Sequence, residues 1–399
     1  MISLEQALNI ASEYAKPIGI EAVYFSNSLG RVLAEDVYSD VDMPPFNKSA
    51  MDGYACRRED LNNELKVLEV IPAGSPPTLP VTKNSCSKIM TGAEVPRGAD
   101  TVIMVEHTEE TGPGTIRFTG TKTSSNICLV GEDLQKGSQV LTKGTLIEPQ
   151  HIAMLAAVGC FKPMAYKQPT VGIISTGSEL IEPDKKPTPS KIRNSNGHQL
   201  VAQVSKIGLP VNYLGIVEDD AEATLEAIRK STSENEVTLI SGGVSIGDFD
   251  YVPRAIEQAG FKILFNKMSV KPGKHTTLAV SKGTGATTGN KKYIIGLPGN
   301  PVSSFIQFEI FAKPFLNKLR GLDKDGITCP LEMAHDFERR KTDRDEFLPV
   351  TLNKENRVEL VQYNGSAHIH AYHNAFGFIS IEKNKKGITK GEAVYVRPI

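Results

Sequence analysis

Two glycine-rich segments carry the residue types that bind phosphate. Gly242 and Gly243 directly follow the apolar run VTLIS, and the run YIIG leads into LPGNP, which contains Pro298, Asn300 and Pro301. A turn that joins a strand to a helix leaves backbone N–H groups beside the positive end of the helix dipole, which favours an anion. We therefore predict an anion-binding site where the two segments meet.

Charged side chains accompany the first of these segments. Lys267, Lys271 and Lys274 supply cations for a polyanion, and Asp248 and Asp250 supply oxygen ligands for a divalent metal that bridges protein and phosphate. Glycine turns by themselves join strands to helices throughout α/β proteins, and they are more often structural than catalytic. The acidic pair and the lysines are what favour a ligand site here.

Two common nucleotide-binding motifs are missing from the sequence. It contains no G-x-x-x-x-G-K-[ST] segment, and no G-x-G-x-x-G follows a predicted strand. The pattern therefore favours neither a P-loop nor a dinucleotide-binding fold.

The composition is that of a globular protein. The chain has 399 residues, of which 40% are hydrophobic and 23% are charged, and its formal net charge is -1. At about 150 residues per domain, this length suggests roughly two to four domains. The near-neutral charge offers no electrostatic footprint for nucleic acid or for an anionic membrane surface.

The cysteines and the N-terminal segment indicate the compartment. Five cysteines are scattered without a C-x-x-C pair, which favours reduced thiols in a cytosolic protein and disfavours a structural zinc site. Glu5 and Glu13 interrupt the N-terminal segment, so no secretion signal is predicted. No apolar run approaches the roughly 20 residues that a membrane-spanning helix needs. We expect a soluble, cytoplasmic protein.

Strands alternate with helices in the middle of the chain. The strand segments TVGIIS, VNYLGIV and VTLIS are separated by the helical segments HQLVAQVSKIG and TLEAIRKS. Such βαβ units predict a parallel sheet whose ligands bind at the carboxyl ends of the strands. The polar residues that fall at this edge are Thr176, Glu179, Asp219, Asp250 and Asn300.

The flanking segments predict further domains. Short alternating runs separated by glycine and proline predict an all-β domain inserted between residues 46 and 137. The runs EFLPVTL, RVELVQY and AVYVRP predict a small C-terminal β domain. Ser3 and Gln6 form a capping box at the start of an N-terminal helix. The expected fold class is therefore a multidomain α/β protein.

Acidic and hydroxyl residues also occupy turns inside the inserted domain. Asp52, Thr91, Asp100 and Asp133 all follow or precede predicted strands. Taken singly, such residues are usually solvated loop residues, so the local pattern alone assigns them no function.

A histidine-rich segment near the C-terminus raises the possibility of zinc. His368, His370 and His373 lie close together in GSAHIHAYHNA. On a strand, however, only His368 and His370 point the same way, and no cysteine or acidic ligand stands among them. We interpret these histidines as surface or packing residues.

Seven motifs occur together in one order along the chain. They are GRVLAEDV, PPFNKSAMDGYA, TGAEVPRGADTVIMVE, VGIISTGSEL, SGGVSIGDFDYV, KPGKH and GLPGNPVSS. As a set, from about Leu29 to the C-terminus, they resemble the molybdopterin molybdenumtransferase family, which includes bacterial MoeA and the E domain of gephyrin. The segment SGGVS alone is weaker evidence for this family, because related pterin-binding domains share it.

The resemblance implies an enzyme of molybdenum cofactor biosynthesis. It would hydrolyse adenylated molybdopterin, insert molybdate and release AMP with Mg²⁺ as the partner ion, and molybdopterin adenylyltransferase of the same pathway would be its partner. A homodimer of four-domain chains is implied, with the cleft between the parallel-sheet domain of one subunit and the inserted β domain of the other. The implied domains are a linking domain (1–45 and 138–168), the inserted β domain (46–137), a pterin-binding α/β domain (169–324) and a C-terminal β domain (325–399).

The resemblance also implies functional residues. The candidate catalytic residues are Asp52, Thr91, Asp133, Lys267 and Lys271. The candidate metal ligands are Glu179, Asp219 and Asp250. The candidate substrate-binding residues are Ser175, Thr176, Gly242, Gly243, Ser245, Lys274, Pro298, Asn300, Pro301, Arg344 and Ser366.

The chemistry of these side chains fits the implied roles. Carboxylates hold hard cations or orient water at a phosphoanhydride, and lysines offset the charge of pyrophosphate or molybdate. Asp52 would position the incoming oxyanion indirectly, because a bare carboxylate repels molybdate.

One position departs from the family pattern. The family commonly has arginine where this chain has Cys128, and loss of a planar cation that forks to an oxyanion is not conservative. Lys48, which stands where a neutral residue is usual, and Lys122 and Arg97 are the candidates for replacing that charge.

Two other functions remain open at this point. An adenylyltransferase or another pterin-dependent enzyme would share the parallel-sheet domain but would not need the insert with SAMDGYA. An interaction protein resembling the gephyrin scaffold would need a further fused domain and linker, which we do not expect in this chain.

Overall fold

The computed structural model describes residues 1–244, 251–282, 291–323, 326–362, 365 and 367–399. The chain divides into two compact units. The first unit comprises Met1–Glu35, Lys143–Glu148 and Met164–Ile399, and the second comprises Asp36–Thr142 and Pro149–Pro163. The multidomain α/β class predicted from the sequence is confirmed.

A six-stranded sheet, here called the central sheet, forms the middle of the first unit. In spatial order its strands are Val211–Val217, Val171–Thr176, Val237–Ser241, Tyr293–Leu297, Thr277–Ser281 and Phe261–Phe265. The first four are parallel neighbours, whereas the last two pair antiparallel. The strands that the βαβ pattern predicted are therefore parallel, and two further strands at one edge make the sheet mixed.

Helices cover both faces of the central sheet. Alternate side chains of its strands point to opposite faces, so Ile173, Leu239 and Ile295 join one hydrophobic core while Ile174 and Ile240 join another. This double burial explains why these strands read as continuous apolar runs. The helices of the first unit are Leu4–Tyr14, Ser195–Lys206, Ala221–Glu234, Val252–Gln258, Pro301–Gln307 and Lys313–Leu319, with a π-helical turn at Phe308–Ala312.

A second sheet of the first unit, here called the C-terminal sheet, gathers strands from the end of the chain. These are Cys329–Glu332, Asp345–Leu352, Val358–Leu360, Gly377–Ile381 and Ala393–Pro398. One strand comes from elsewhere: Val270–Lys271 pairs in parallel with Asp345–Leu352. The sequence placed Lys271 in the α/β region, whereas the structure makes it an edge strand of the C-terminal sheet.

The remaining elements of the first unit are short. Ser3 and Gln6 form the capping box predicted for helix Leu4–Tyr14. The paired short strands are Ile20–Ala22 with Met164–Tyr166, Leu180–Ile181 with Ile192–Arg193, and Phe337–Glu338 with Gly387–Ile388, and the 3₁₀ turns are Phe25–Asn27 and Ile369–Tyr372.

The second unit is built on a sheet of six strands. In spatial order these are Thr101–Met104, Gly53–Cys56, Ser85–Ile89, Glu64–Ile71, Thr115–Phe118 and Thr108–Gly112. Tyr54 and Cys56 enter one small core and Ala55 enters another, so this sheet also has two buried faces. The other elements are strands Val37–Tyr38, Lys48–Ser49, Ile127–Cys128 and Gln139–Leu141, 3₁₀ turns Arg58–Asp60 and Val105–His107, and helix Pro149–Ala157.

Across the residues that the structure describes, no helix combines the length and apolar character needed to cross a bilayer.

Candidate functional site

A cavity of about 930 Å³ opens in the first unit. Its floor lies at the carboxyl ends of three parallel strands, where Thr176, Ser241 and Pro298 line it. Ligands of open α/β sheets bind at this end of the strands. The sequence-based prediction of a site at this edge agrees with the position of the cavity.

Glycine is required on one wall of the cavity. Gly242 has a φ of +95°, and a Cβ atom placed on it would lie 2.4 Å from the carbonyl oxygen of Thr176. The Gly242 N–H donates to the carbonyl of Leu297 at 3.1 Å, so the turn is held against the next strand. Gly243, with a φ of +61°, has similarly little room, since its Cβ would lie 2.7 Å from Val252. The backbone therefore approaches the cavity without a side chain.

Two carboxylates border the cavity. The Oδ2 atom of Asp219 accepts from the Ser178 N–H at 3.0 Å, and the Ser178 hydroxyl accepts from the Asp219 N–H at 3.1 Å. This reciprocal pair fixes the loop that carries Asp219. Glu179 lies on the adjoining loop and faces the same cavity.

The donor set on this wall fits Mg²⁺. That ion is held by one or two carboxylates, keeps several waters and takes further oxygens from substrate phosphates. Glu179 and Asp219 supply two such carboxylates on the cavity wall. Within the described ranges no group of three or more histidine, cysteine, aspartate or glutamate side chains is arranged for a metal, and Asp250, the third predicted ligand, lies outside those ranges.

Cations line the cavity beside the C-terminal sheet. They are Lys271, Lys274 and Arg344. The ammonium of Lys271 lies 2.5 Å from Oε1 of Glu346, and the Arg344 guanidinium donates to the carbonyl of Val270 at 3.2 Å. Carboxylates and cations thus face a common space, as a metal-bound polyanion requires.

The LPGNP segment completes the wall. Pro298, Asn300 and Pro301 all line the cavity. Asn300 is the N-cap residue of helix Pro301–Gln307, and Pro301 occupies the first turn, where proline is favoured.

Among the described residues of the first unit, two predicted site residues do not line the cavity. Ser175 is fully buried in its strand, and its hydroxyl lies against helix Ser195–Lys206 at Gly197. Lys267 is half-buried, and its carbonyl accepts from the Ile2 N–H at 3.2 Å. The chain bends between Lys267 and Lys271, so the two lysines do not share the cavity wall.

Sequence reasoning missed the segment Asn194–Asn196. Asn194 caps helix Ser195–Lys206 by accepting from the Gly197 N–H at 3.0 Å. Asn196, 8% exposed, donates to the Ser241 hydroxyl at 2.9 Å and to the Gly299 carbonyl at 2.7 Å. It thereby ties the two glycine-rich segments together. The signal was the asparagine that precedes SNG, because asparagine is a strong N-cap.

A polar network supports Asn194 from behind. Asn194 donates to the Tyr213 hydroxyl at 2.7 Å, which in turn donates to Glu182 at 2.8 Å. The other oxygen of Glu182 lies 3.1 Å from Nε2 of His198. Burial, together with the Glu182 carboxylate, raises the pKa of Tyr213 well above its ordinary value, so the phenol remains a donor.

In the second unit, Asp52 and Thr91 lie at neighbouring strand ends. Gly53 is opposite Ile89 in the antiparallel pair, so the residues just beyond them meet. Both the N–H and the hydroxyl of Thr91 donate to Oδ1 of Asp52, at 2.6 and 2.7 Å. These two bonds hold the pKa of the Asp52 carboxyl below its usual value. The structure thus joins two residues that the sequence only associated through motifs.

Asp133 and Cys128 lie in the same unit, close together in the chain. Asp133 is exposed, and its N–H donates to the Met43 carbonyl at 3.0 Å. Cys128 is the antiparallel partner of Lys48. Desolvation and the hydrogen bond to Glu132 raise the pKa of the Cys128 thiol, while Lys48 opposes that rise.

The histidine segment is helical rather than extended. His370 lies in the 3₁₀ turn Ile369–Tyr372, and its ring stacks on that of His373 with centroids 4.7 Å apart. The premise of alternate residues on a strand is therefore wrong.

The predicted residues Ser245, Asp248, Asp250 and Ser366 lie outside the described residues.

Three family models match almost the whole chain. The MoeA N-terminal region (domains I and II) matches residues 2–159, a probable molybdopterin binding domain matches residues 172–318, and the MoeA C-terminal region (domain IV) matches residues 332–399. The chain belongs to the MoeA family. The resemblance inferred from the seven motifs is confirmed.

Individual relatives agree with this assignment. A protein of Staphylococcus epidermidis called molybdopterin molybdenumtransferase is 39% identical over 328 residues, which cover 80% of this chain and 76% of that protein. A Staphylococcus aureus protein of the same name is 38% identical over 75% of this chain and 71% of its own length.

Solved structures match the fold over its full length. The crystal structure of the molybdopterin biosynthesis MoeA protein from Pyrococcus horikoshii OT3 has a TM-score of 0.83 at 29% identity and covers 100% of both chains. This MoeA-family chain therefore has the multidomain α/β fold of that protein.

Proposed function

We propose that this protein is a molybdopterin molybdenumtransferase that takes adenylated molybdopterin and molybdate as substrates in molybdenum cofactor biosynthesis. Membership of the MoeA family supports the activity. The observation that carries the proposal is the cavity of the first unit, in which Glu179 and Asp219 face Lys271, Lys274 and Arg344 across one space. A phosphoanhydride with its metal and an oxyanion need both kinds of side chain.

The cavity residues have different proposed roles. Gly242 and Gly243 leave backbone close to the ligand, since a Cβ at either position would collide with its neighbours. Lys271, Lys274 and Arg344 offset the negative charge of pyrophosphate and molybdate. Asn196 holds the two glycine-rich segments at a fixed separation through its bonds to Ser241 and Gly299.

Glu179 and Asp219 are the proposed ligands of Mg²⁺. When bound, the ion would neutralise phosphate oxygens and lower the barrier to their displacement. Each carboxylate also accepts hydrogen bonds, so it can orient water toward phosphorus. In the hydrolysis, the water oxygen bonds to the phosphorus of the pterin phosphate and its proton passes to solvent. The phosphoanhydride P–O bond breaks, and AMP leaves with the bridging oxygen.

The Asp52–Thr91 pair is proposed to act from a second copy of the chain. The surface around strand Lys48–Ser49 exposes large apolar side chains, with Phe46, Met51, Leu129 and Val130 exposed by 37%, 40%, 56% and 48%. Exposed apolar patches mark protein contacts. We propose a homodimer in which this surface meets the other subunit, so that Asp52 approaches that subunit's cavity.

Two further features belong to the proposal. The partner that delivers the substrate would be the molybdopterin adenylyltransferase of the same pathway, because its product is the adenylated pterin. The thiols of Cys56, Cys86, Cys128 and Cys329 are free, which is consistent with a cytoplasmic protein.

The experiment measures AMP release from adenylated molybdopterin with Mg²⁺ and molybdate. The wild-type protein should release AMP in a molybdate-dependent manner, and Asp52→Ala should lose most of that activity. Glu110→Ala changes another exposed carboxylate of the second unit and should behave as wild type. Absence of AMP release by the wild-type protein would contradict the proposed function. Full activity of Asp52→Ala would contradict the role of Asp52.

A further inference from the structure

A buried ion pair lies directly behind two cations of the cavity. We infer that Arg339 and Glu346 are positioning residues that hold Lys271 and Arg344 in the orientation needed to bind an oxyanion. This inference rests on the proposed function, because it concerns the same cavity. Neither Arg339 nor Glu346 lines the cavity itself.

Glu346 fixes the ammonium of Lys271. The two residues are direct partners in the parallel pairing of strands Val270–Lys271 and Asp345–Leu352, so their side chains leave the sheet on the same face. Their side chains are 6% and 50% exposed, and Oε1 of Glu346 lies 2.5 Å from the Lys271 ammonium. An ammonium has three donors. One points back to Glu346, which leaves the others for a ligand.

Arg339 fixes Glu346 and the chain at Arg344 together. The Arg339 side chain is 1% exposed, and its Nε donates to Oε2 of Glu346 at 2.9 Å. Its Nη2 donates to the Arg344 carbonyl at 2.5 Å, and its Nη1 donates to the Glu382 carbonyl at 2.8 Å. Because a guanidinium is a rigid planar fork, these bonds set the relative position of all three acceptors.

The contacts close into a ring. Arg344 donates through Nη1 to the carbonyl of Val270, the residue before Lys271. Arg339, Glu346, the segment Val270–Lys271 and Arg344 are therefore each bonded to the next member. A change at Arg339 would reach the cavity at two places, at Lys271 through Glu346 and at Arg344 through its backbone.

Stability alone is a weak reason for this arrangement. Well-packed hydrophobic residues can often replace a buried ion pair without loss of stability, because desolvation of the two charges offsets their attraction. The second oxygen of Glu346 is directed to a lysine on the cavity wall. A purely structural pair with Arg339 would not need that third partner.

A double-mutant cycle tests the inference. Binding of inorganic pyrophosphate and, in a separate arm, of molybdate is measured by calorimetry for wild type, Glu346→Gln, Lys271→Met and the double variant. Glu346→Gln should weaken binding of at least one oxyanion about tenfold, and the double variant should bind no more weakly than Lys271→Met, since coupled residues are not additive. Fully additive losses, or unchanged binding of both oxyanions by Glu346→Gln, would overturn the inference. The oxyanion whose binding is weakened by Glu346→Gln is the one that Lys271 contacts.

A second variant guards against simple misfolding. Glu346→Gln leaves Arg339 buried without its counter-charge, which destabilises proteins. Arg339→Met combined with Glu346→Leu removes both charges and should fold, as checked by thermal unfolding, yet should show the same weakened binding. Wild-type binding by this folded variant would overturn the inference.

Glu309→Gln is the matched control. Glu309 is also buried and pairs with a lysine, Lys313, at 2.9 Å. The Glu309→Gln variant should leave oxyanion binding unchanged. A loss of binding as large as that of Glu346→Gln would count against a specific positioning role of Glu346. AMP release by the wild-type protein separates the two proposals. If the protein releases AMP but the Glu346 and Lys271 variants have additive effects on binding, only the positioning role is contradicted. If the two variants are non-additive but the protein releases no AMP, the proposed function is contradicted.

Discussion

Thr91 donates two hydrogen bonds to a single carboxylate oxygen of Asp52, from its N–H at 2.6 Å and from its hydroxyl at 2.7 Å. Both residues are exposed, so packing does not hold the carboxylate in place. The bonds hold it instead. Both Thr91 donors thus bond to the same oxygen of Asp52 and neither bonds to the other.

Thr91→Val should impair the proposed reaction without changing the charge of Asp52 at neutral pH. The variant loses the hydroxyl bond but keeps the backbone bond, so the lowered pKa of Asp52 should move back toward 3.8. Because the carboxyl is ionised at pH 7 in either case, the loss of AMP release would reflect orientation. The measurements are activity and an NMR titration of the Asp52 carboxyl.

The sign of the pH effect follows from the lowered pKa. The bonded carboxylate stabilises the folded protein above the pKa of the unfolded chain, and this contribution is lost as pH falls through the lower folded value. Thr91→Ser retains the hydroxyl and should retain both the pKa and the activity. An unchanged Asp52 pKa in Thr91→Val would contradict the role of the hydroxyl.

Gly242→Ala should disturb the cavity more than an ordinary glycine substitution. A non-glycine residue at positive φ costs about 1–3 kcal/mol, and here the added Cβ would also lie 2.4 Å from a backbone oxygen. Thermal unfolding and pyrophosphate binding should both be weakened. Gly260→Ala has a similar φ of +88° but open space around the new Cβ, so it should lower stability only. Equal effects of the two variants would mean that the close contact is relieved without consequence.

Substitution of the cavity carboxylates should affect Mg²⁺ dependence. Glu179→Gln and Asp219→Asn remove negative charge that a hard cation prefers, so each should raise the Mg²⁺ concentration needed for half-maximal AMP release by roughly tenfold or more. Glu222→Gln neutralises an exposed carboxylate in the first turn of helix Ala221–Glu234 and is the control. A normal Mg²⁺ profile in both cavity variants would exclude these residues as ligands.

The sequence predicted the cavity floor well because local signals agreed there. Apolar runs ending in glycine or LPGNP define strand ends, and parallel pairing brings such ends to one edge. Thr176, Asp219 and Asn300 accordingly line one cavity. Ser175, which only the resemblance had named, is buried and faces Gly197, because adjacent residues of a strand face opposite sides.

The cysteines should differ sharply in reactivity. Cys56 and Cys86 are opposite each other in neighbouring strands and fully buried, and burial raises the pKa of each thiol to about 12. A maleimide, which reacts with thiolate, should therefore modify Cys160 and Cys329, which are partly exposed, and should reach Cys56 and Cys86 only after unfolding. Mass spectrometry of the labelled native protein checks this. Prompt labelling of Cys86 would contradict the buried geometry.

Cys128→Arg should leave molybdenum insertion intact or improve it. The new guanidinium would stand opposite Lys48 and within reach of Glu132, which lies near the present thiol. Glu132 offers the attraction that offsets repulsion from Lys48. AMP release is the measurement, with Cys160→Arg as a control in the same unit. A large loss of activity would mean that this loop is built differently from that of the family.

Long-range pairing set the limits of what the sequence could predict. Lys271 follows Lys267 by four residues, yet it belongs to a strand that pairs with Asp345–Leu352. No local periodicity encodes a two-residue strand. The same reason explains why Arg339 and Glu346 were not found: their roles depend on a partner some 70 residues away in the chain.

The membership of Val270–Lys271 in the C-terminal sheet has a practical consequence for protein engineering. A chimaera that replaced residues 325–399 with those of a relative would pair a foreign strand with the native Val270–Lys271 segment. Such a hybrid would fold its hydrophobic cores and yet misalign the lysine at the ligand. A graft should therefore transfer the dipeptide together with the terminal module.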